Sequence, residues 1–222
     1  MKTRLNKGFW LTGWVALASI GWLGSTAQAQ GFEGAVSMTM HASGQTIPVD
    51  YAIKGHKVRV DIHMSERTNT VLLDLDAHTQ TILIPELKAY AVHGGSTPSA
   101  ISSAAPPKVI DLGTTETVAG HTCSDYKLES DKYDGTACMT KEFGVNPLTD
   151  MVGGPLAGAL KGDDTLKQAG MPLKMSIIFK EGEKQGDKAT MEVTKVSPGA
   201  VEEVQFDVPD GWHQLSGLPG TP

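Results

Sequence analysis

Apolar and charged side chains alternate almost residue by residue through IKGHKVRVDI (53–62), and the rhythm breaks only at Gly55. The same period of two recurs along most of the chain. GAVSMTMH puts Val36, Met38 and Met40 on one side, IPVDYAIKG does so with Ile47, Val49, Tyr51 and Ile53, and KVRVDIHM with Val58, Val60, Ile62 and Met64. Successive side chains of a strand point to opposite faces, so each segment predicts a strand with one dry and one wet side, as in an antiparallel sheet. KGHK, with Gly55, predicts a hairpin turn between the second and third strands. The wet side of the third, Lys57, Arg59 and Asp61, reads as solvated surface, because Asp61 and the acidity of the whole chain dilute any basic patch.

The alternation continues through TVLLDL, the turn DAHT, QTILIP and KAYAVH, which predicts a meander. Residues 94–107, GGSTPSAISSAAPP, carry no charge and no periodicity and predict a loop or flexible tract. KVIDLGTTETVAGHTCSDYKLES and GTACMTKEFG predict two further strand pairs. The remainder predicts two strands joined by a Gly-rich polar turn, then a short acidic piece and a last edge. One segment departs from this pattern: residues 146–170 suit short helices at 148–152 and 156–160, and Pro155 with Gly153 and Gly154 prevents a single continuous one. It reads as a surface excursion or as a lid lying across a groove.

The first residues change the picture of where this domain works. MKTRLNK supplies Lys2, Arg4 and Lys7, an apolar run follows, and Ala27 and Ala29 form an A-x-A site. This predicts a signal peptide over 1–29 cleaved after Ala29, and a periplasmic or secreted mature chain. A membrane anchor needs about 20 uninterrupted apolar residues, more than this run provides. Without the leader, 16 of the 19 basic residues face all 25 acidic ones. So acidic a chain is a poor partner for nucleic acid. Roughly 190 residues then form a single domain over 30–222, enough for one core or one large curved sheet.

Candidate chemistry is sparse. Cys123 and Cys138 are the only cysteines. If TCSDYKLES and GTACMTKE pair around DKYD, they lie opposite each other and form a disulfide, contributing about 3 kcal/mol by loop closure. A redox role has no C-x-x-C spacing behind it. Met38, Met40, His41, His63 and Met64 offer copper-type donors, but the alternation sends Met38 and Met40 to one face and the histidines to the other. No G-x-S-x-G elbow occurs, and Asp163 with Asp164, or Glu202 with Glu203, read as solvated charge. The expectation is a protein that is not an enzyme and has no cofactor.

GFEGAVSM, YAIKGHKVRVDI, TVLLDLDAHTQTILIPELKAYAV, ETVAGHTCSDYKL, CMTKEFG, PLKMSI, MEVTKV and VQFDVPDGW together resemble a secreted bacterial family of unknown function (domain of unknown function 4412), similar in architecture to the lipoprotein carriers LolA and LolB. The likeness runs from Phe32 to Trp212. It implies a mainly β fold: a single strongly curved antiparallel sheet, an incomplete barrel, with an apolar hollow under a short helical or loop lid. In the carriers that hollow holds acyl chains. The aliphatic faces here would then line either a core or a cavity for an apolar ligand, walled by Val49, Tyr51, Ile53, Val58, Val60 and Ile62 and lidded by Leu156 and Leu160. A wall of Val, Ile, Leu and Met suits an apolar ligand such as a lipid or an acyl chain, or a peptide strand, better than a sugar or nucleotide. The alternatives are an envelope scaffold that binds a protein partner through a sheet edge and, behind it, a periplasmic copper protein.

Overall fold

The computed structural model describes residues 32–94, 107–143, 168–180 and 185–215. The expected leader with its cleavage after Ala29, nearly all of the 94–107 tract, and the 146–170 segment up to 167, with Leu156 and Leu160, lie outside the described residues.

Twelve strands occupy the described residues: β1 (Gly34–Ala42), β2 (Gln45–Lys54), β3 (Lys57–His63), β4 (Thr68–Asp74), β5 (Thr79–Ile84), β6 (Ala89–Gly94), β7 (Lys108–Val118), β8 (His121–Glu129), β9 (Tyr133–Thr140), β10 (Met171–Phe179), β11 (Lys188–Pro198) and β12 (His213–Leu215). All belong to one sheet in the order β12-β6-β5-β4-β3-β2-β1-β11-β10-β9-β8-β7. Two meanders, β1 to β6 and β7 to β11, are thus joined where β1 pairs with β11. Every neighbouring pair is antiparallel except β12 beside β6, which is parallel. A parallel pair needs a crossover, and residues 199–212 supply it with a 3-10 turn at Glu203–Phe206. The two ends of the order do not pair with each other, so the sheet is open.

The alternation explains the pairing. Val49 faces Ile62, Tyr51 faces Val60 and Ile53 faces Val58 across β2 and β3. Met38 faces Val49 on one side and Val193 on the other, and Met175 faces Met191 and Ala137. One continuous apolar face results, and it is the core. The turn in KGHK has two residues, Gly55 at φ +57° and His56, with Lys54 opposite Lys57. That positive φ is what glycine supplies without steric penalty.

The structure corrects two details of this reading. Residues 108–140 form three consecutive strands, not two pairs, with a pairing irregularity between Asp111 and Thr115 around Gly113. Such a bulge absorbs residues that would otherwise break the register, and it sharpens the local twist. The twist is large here: Cα atoms of β7 and β11 approach within 8 Å although β8, β9 and β10 lie between them. Four strand spacings in a flat sheet would hold them about 19 Å apart. Secondly, Leu72 and Leu83 are buried on the polar side, where Leu72 sits opposite Arg59 and Thr81. They are accompanied by buried Val201 and Phe206 of the crossover segment.

Candidate functional site

The predicted ligand wall lies on the apolar face. Val49, Tyr51, Ile53, Val58 and Val60 are all buried within the main cluster, Val58 completely (0 % exposed), and Ile62 packs against it partly buried. Burial pushes the Tyr51 phenol up to about 12, because the phenolate would lose its hydration there. Methionines are prominent on this face: Met38, Met139, Met171, Met175 and Met191 are buried, and Met40 packs against them. Their flexible thioethers give the face a deformable lining. His93 of β6 faces Gln80 of β5 on the same side. Its Nε2 is buried without a hydrogen-bond partner among the described residues.

The charged side of IKGHKVRVDI is not simply solvated. Lys54 Nζ donates to the Val201 carbonyl at 2.8 Å, Lys57 pairs with Glu203, and Arg59 Nη1 donates to the Gln205 carbonyl at 3.2 Å. Arg59 also holds Asp61, Nε to Oδ2 at 2.7 Å, and the Thr70 hydroxyl donates to Asp61 Oδ1 at 2.6 Å. These residues clamp the crossover segment over buried Leu72 and Leu83. The hydrogen bond with Lys57 lowers the Glu203 carboxyl below its ordinary value, and the same bond raises the Lys57 ammonium. A cation row that looks like ordinary surface is thus a clamp, because its partners lie some 147 residues away in the chain.

Further along this face, the Ser37 hydroxyl donates to Asp50 Oδ1 at 2.6 Å and His63 Nε2 meets Asp50 Oδ2 at 2.8 Å. His63 Nδ1 in turn meets Thr68 Oγ1 at 3.1 Å. Thr68, His63 and Asp50 stand in the order hydroxyl, imidazole, carboxylate of a nucleophile, base and orienting acid, whereas Ser37 bonds the carboxylate and not the imidazole. They sit on the flat of strands β1 to β4, beside the irregularity between Ser37 and Met38 in the β1–β11 pairing. The cluster acts as a cross-strand tie. Hydrogen bonding from Ser37 first, then from His63, holds the Asp50 carboxyl below its ordinary range.

Cys123 and Cys138 form the disulfide the sequence predicts, with Cα atoms 5.3 Å apart. They are diagonal rather than opposite, since Cys138 pairs with Asp125. The tip of the β7–β8 hairpin, with its turn at Ala119 and Gly120, runs on past the last β8–β9 pair and leans over the polar face. Three ties fix it there: the disulfide, Lys174 Nζ of β10 donating to Glu116 Oε2 of β7 at 2.8 Å, and His121 Nδ1 meeting Glu142 Oε2 at 2.7 Å with its ring edge-on to Phe143. The Glu116 carboxylate holds the Lys174 ammonium above the ordinary lysine range, with Glu192 and Asp125 adding to the effect. Between tip and sheet lies a cleft of about 320 Å³, lined by polar side chains from five strands, among them Glu116, Asp125, Ser176, Lys188 and Glu192.

Glu116 and the two sulfurs converge within 4.8 Å, but both sulfurs are consumed by the disulfide. The copper-type donors do not converge: Met38 is buried in the core, Met64 is exposed, His41 bonds Thr46 and His63 bonds Asp50 and Thr68. The cleft residues escape sequence reading because each is one more polar letter on a wet strand face. A weak signal was available in PLKMSI, where Lys174 and Ser176 interrupt an otherwise apolar run at the spacing of one face.

Among solved structures, the chain is similar to the Pseudomonas aeruginosa MucA/MucB complex at 14% identity and a TM-score of 0.45, covering 81% of this chain and 56% of that one. It thus spans little more than half the length of that chain. An uncharacterized conserved protein from Thermus thermophilus shows 8% identity and a TM-score of 0.49 over 82% of this chain and 90% of that one. A DUF1329 family protein from Desulfovibrio piger shows 11% identity and a TM-score of 0.35 over 81% and 92%. All three likenesses are partial. No curated protein matches in sequence. The family profile "Domain of unknown function (DUF4412)" matches residues 32–212, nearly all of the described sheet, and the chain belongs to that family.

Proposed function

We propose that this is an exported binding protein that holds the apolar chain of an amphiphile against the dry face of its sheet and catalyses no reaction. One observation carries the reading. All twelve strands lie in a single open sheet, and its dry face, from Val58 through Val49 and Met38 to Met175 and Ile177, is buried with no second sheet among the described residues to face it. A sheet with one apolar face requires a covering layer, and a cover that is not a second sheet leaves room for exchange with a ligand. Each methylene taken from water contributes about 0.8 kcal/mol, so a modest groove retains an acyl chain. The methionines suit chains of differing shape, and His93 Nε2 is positioned on the same side to bond a polar head. The disulfide fits the oxidising compartment to which the N-terminal segment points.

Because Val58 and its neighbours are fully covered, uptake requires the cover to move, and binding is expected to be slow beside diffusion. Native mass spectrometry of protein isolated from its own envelope is expected to show copurified lipid. Delipidated protein is expected to take up fluorescent fatty-acid and phospholipid probes. Absence of both overturns the reading.

A second reading rests on a different observation. β7 ends the sheet over eleven residues and exposes Leu112. An extended segment of an envelope protein would add to this edge as a further strand. Pull-down from envelope extracts separates the two, since a scaffold retains a stoichiometric protein and a carrier retains lipid.

A further inference from the structure

The cleft beneath the β7–β8 tip lies on the opposite face from the proposed lipid site and stands independently of it. Its volume of about 320 Å³ falls at the lower end of the roughly 300–1,000 Å³ typical of small-molecule sites. Among the described residues no aromatic ring lines it. What it offers is charge, sorted by position. β11 contributes Lys188, Thr190 and Glu192 from alternate positions of one strand, all on this face. At the strand rise, Lys188 and Glu192 are about 13 Å apart between Cα atoms.

The Glu192 end is acidic. Glu192 pairs with Lys174 across the sheet, Asp125 and Glu116 stand beside it, and these carboxylates already surround one ammonium, that of Lys174. Asp125 Oδ2 accepts from the Thr114 hydroxyl at 2.8 Å, and Oδ1 has no partner among the described residues. The Lys188 end is different. The cross-strand row Thr136, Ser176 and Thr190 lies next to it, and among the described residues no carboxylate lines that end of the cleft, Asp134 standing two strands away from Lys188 in its row. Three hydroxyls, each able to donate and to accept, therefore lie between a group suited to an anion and groups suited to a cation.

We propose that this cleft binds a short peptide with free ends, its ammonium against Glu192 and Asp125, its carboxylate against Lys188, and its amides along the hydroxyl row. A single amino acid is too short, because its two charged groups are separated by one residue only. At about 3.3–3.6 Å per extended residue, two or three residues are needed once the lysine and glutamate side chains lean inward. The disulfide and the Glu116–Lys174 pair hold the roof of the cleft, so the site is preformed.

Trialanine titrated into the disulfide-intact protein by calorimetry tests this. One site of millimolar or tighter affinity is expected, weakened about tenfold by Glu192→Gln and, separately, by Lys188→Met. Both side chains are exposed, so both variants should fold, as circular dichroism will show. Acetylating the peptide's amine should weaken binding to the wild type but not to Glu192→Gln. Amidating its carboxylate should matter for the wild type but not for Lys188→Met. No heat from di-, tri- or tetraalanine, equal affinity for the doubly blocked peptide, or binding that neither substitution changes would each overturn the proposal.

Discussion

Over β2 and β3 the polar face is covered by a segment arriving from 147 residues away, held by Lys54, Lys57 and Arg59 and sealed by Phe206 and Val201. Over β9 and β10 it is covered by the neighbouring hairpin's own tip, held by a disulfide, the Lys174–Glu116 pair and the His121–Glu142 contact, with a cleft left underneath. The underlying alternation is the same in both halves. The difference lies in what the polar face presents. Leu72 and Leu83 break the pattern in the first half and demand an apolar cover. Thr136, Ser176 and Thr190 keep to it in the second and tolerate solvent. Apolar area drives a tight seal, whereas a polar surface needs an imposed roof and leaves space below it.

Removing the imposed roof is the most disruptive test. Cys123→Ala combined with Cys138→Ala opens a link between positions 15 residues apart. It should lower stability by about 3 kcal/mol in urea unfolding. Hydrogen exchange should accelerate in β7, β8 and the start of β10 while β2 to β5 remain protected. Uniform acceleration through both halves would mean that the staple stabilises the whole sheet and that the two covers are not separable.

Phe206→Ala attacks the other cover. Truncating a buried Phe in a core typically costs about 3–5 kcal/mol. Here about 2 kcal/mol is expected, since the crossover segment can detach while the sheet persists. Trp212, the only tryptophan outside 1–29, sits at the end of that segment and should report detachment by fluorescence before the global transition. Coincident transitions would show that the segment is part of the cooperative core.

Much of this organisation was legible in the sequence, and the reason is local. Val49, Tyr51, Ile53, Val58, Val60 and Ile62 declare their face through their own spacing, and Gly55 declares its turn. The disulfide followed from there being only two cysteines, though the diagonal geometry did not, since register depends on where β8 and β9 begin to pair. What stayed hidden was whatever depends on distant partners. Lys57 and Arg59 look like any exposed cations until residues 203–205 are laid over them. Glu116 and Lys174 are 58 residues apart and meet only because the sheet curls. The parallel pairing of β12 with β6 likewise rests on a crossover that no local pattern encodes.

Lys174→Met isolates one of the noncovalent ties of the tip. The pair is more than a third exposed at both partners. Its loss should therefore cost about 0.5 kcal/mol or less. With the disulfide intact, the roof should stay in place and hydrogen exchange in β7 should change little. A loss comparable to that of the disulfide would mean that the ion pair, not the covalent link, positions the tip.

Acid provides the smallest and most selective probe of the clamped half. Glu203 and Asp50 are both held below their ordinary values of 4.5 and 3.8, the first chiefly by Lys57 and the second chiefly by Ser37. A carboxyl lowered in the folded state contributes stability above its ordinary value, and the contribution is lost as pH falls through the lowered one. Glu203→Gln should therefore weaken the clamp at neutral pH, seen as earlier release of Trp212. The difference from wild type should shrink below pH 4.5 and vanish once Glu203 is protonated in both states. Asp50→Asn should behave in the same way below 3.8, in the stability of β1 to β3 rather than in the Trp212 signal. If the Glu203→Gln difference instead persisted unchanged into strong acid, Glu203 would be acting through packing of its stem, and the cation clamp would have to rest on the backbone carbonyls of Val201 and Gln205 alone.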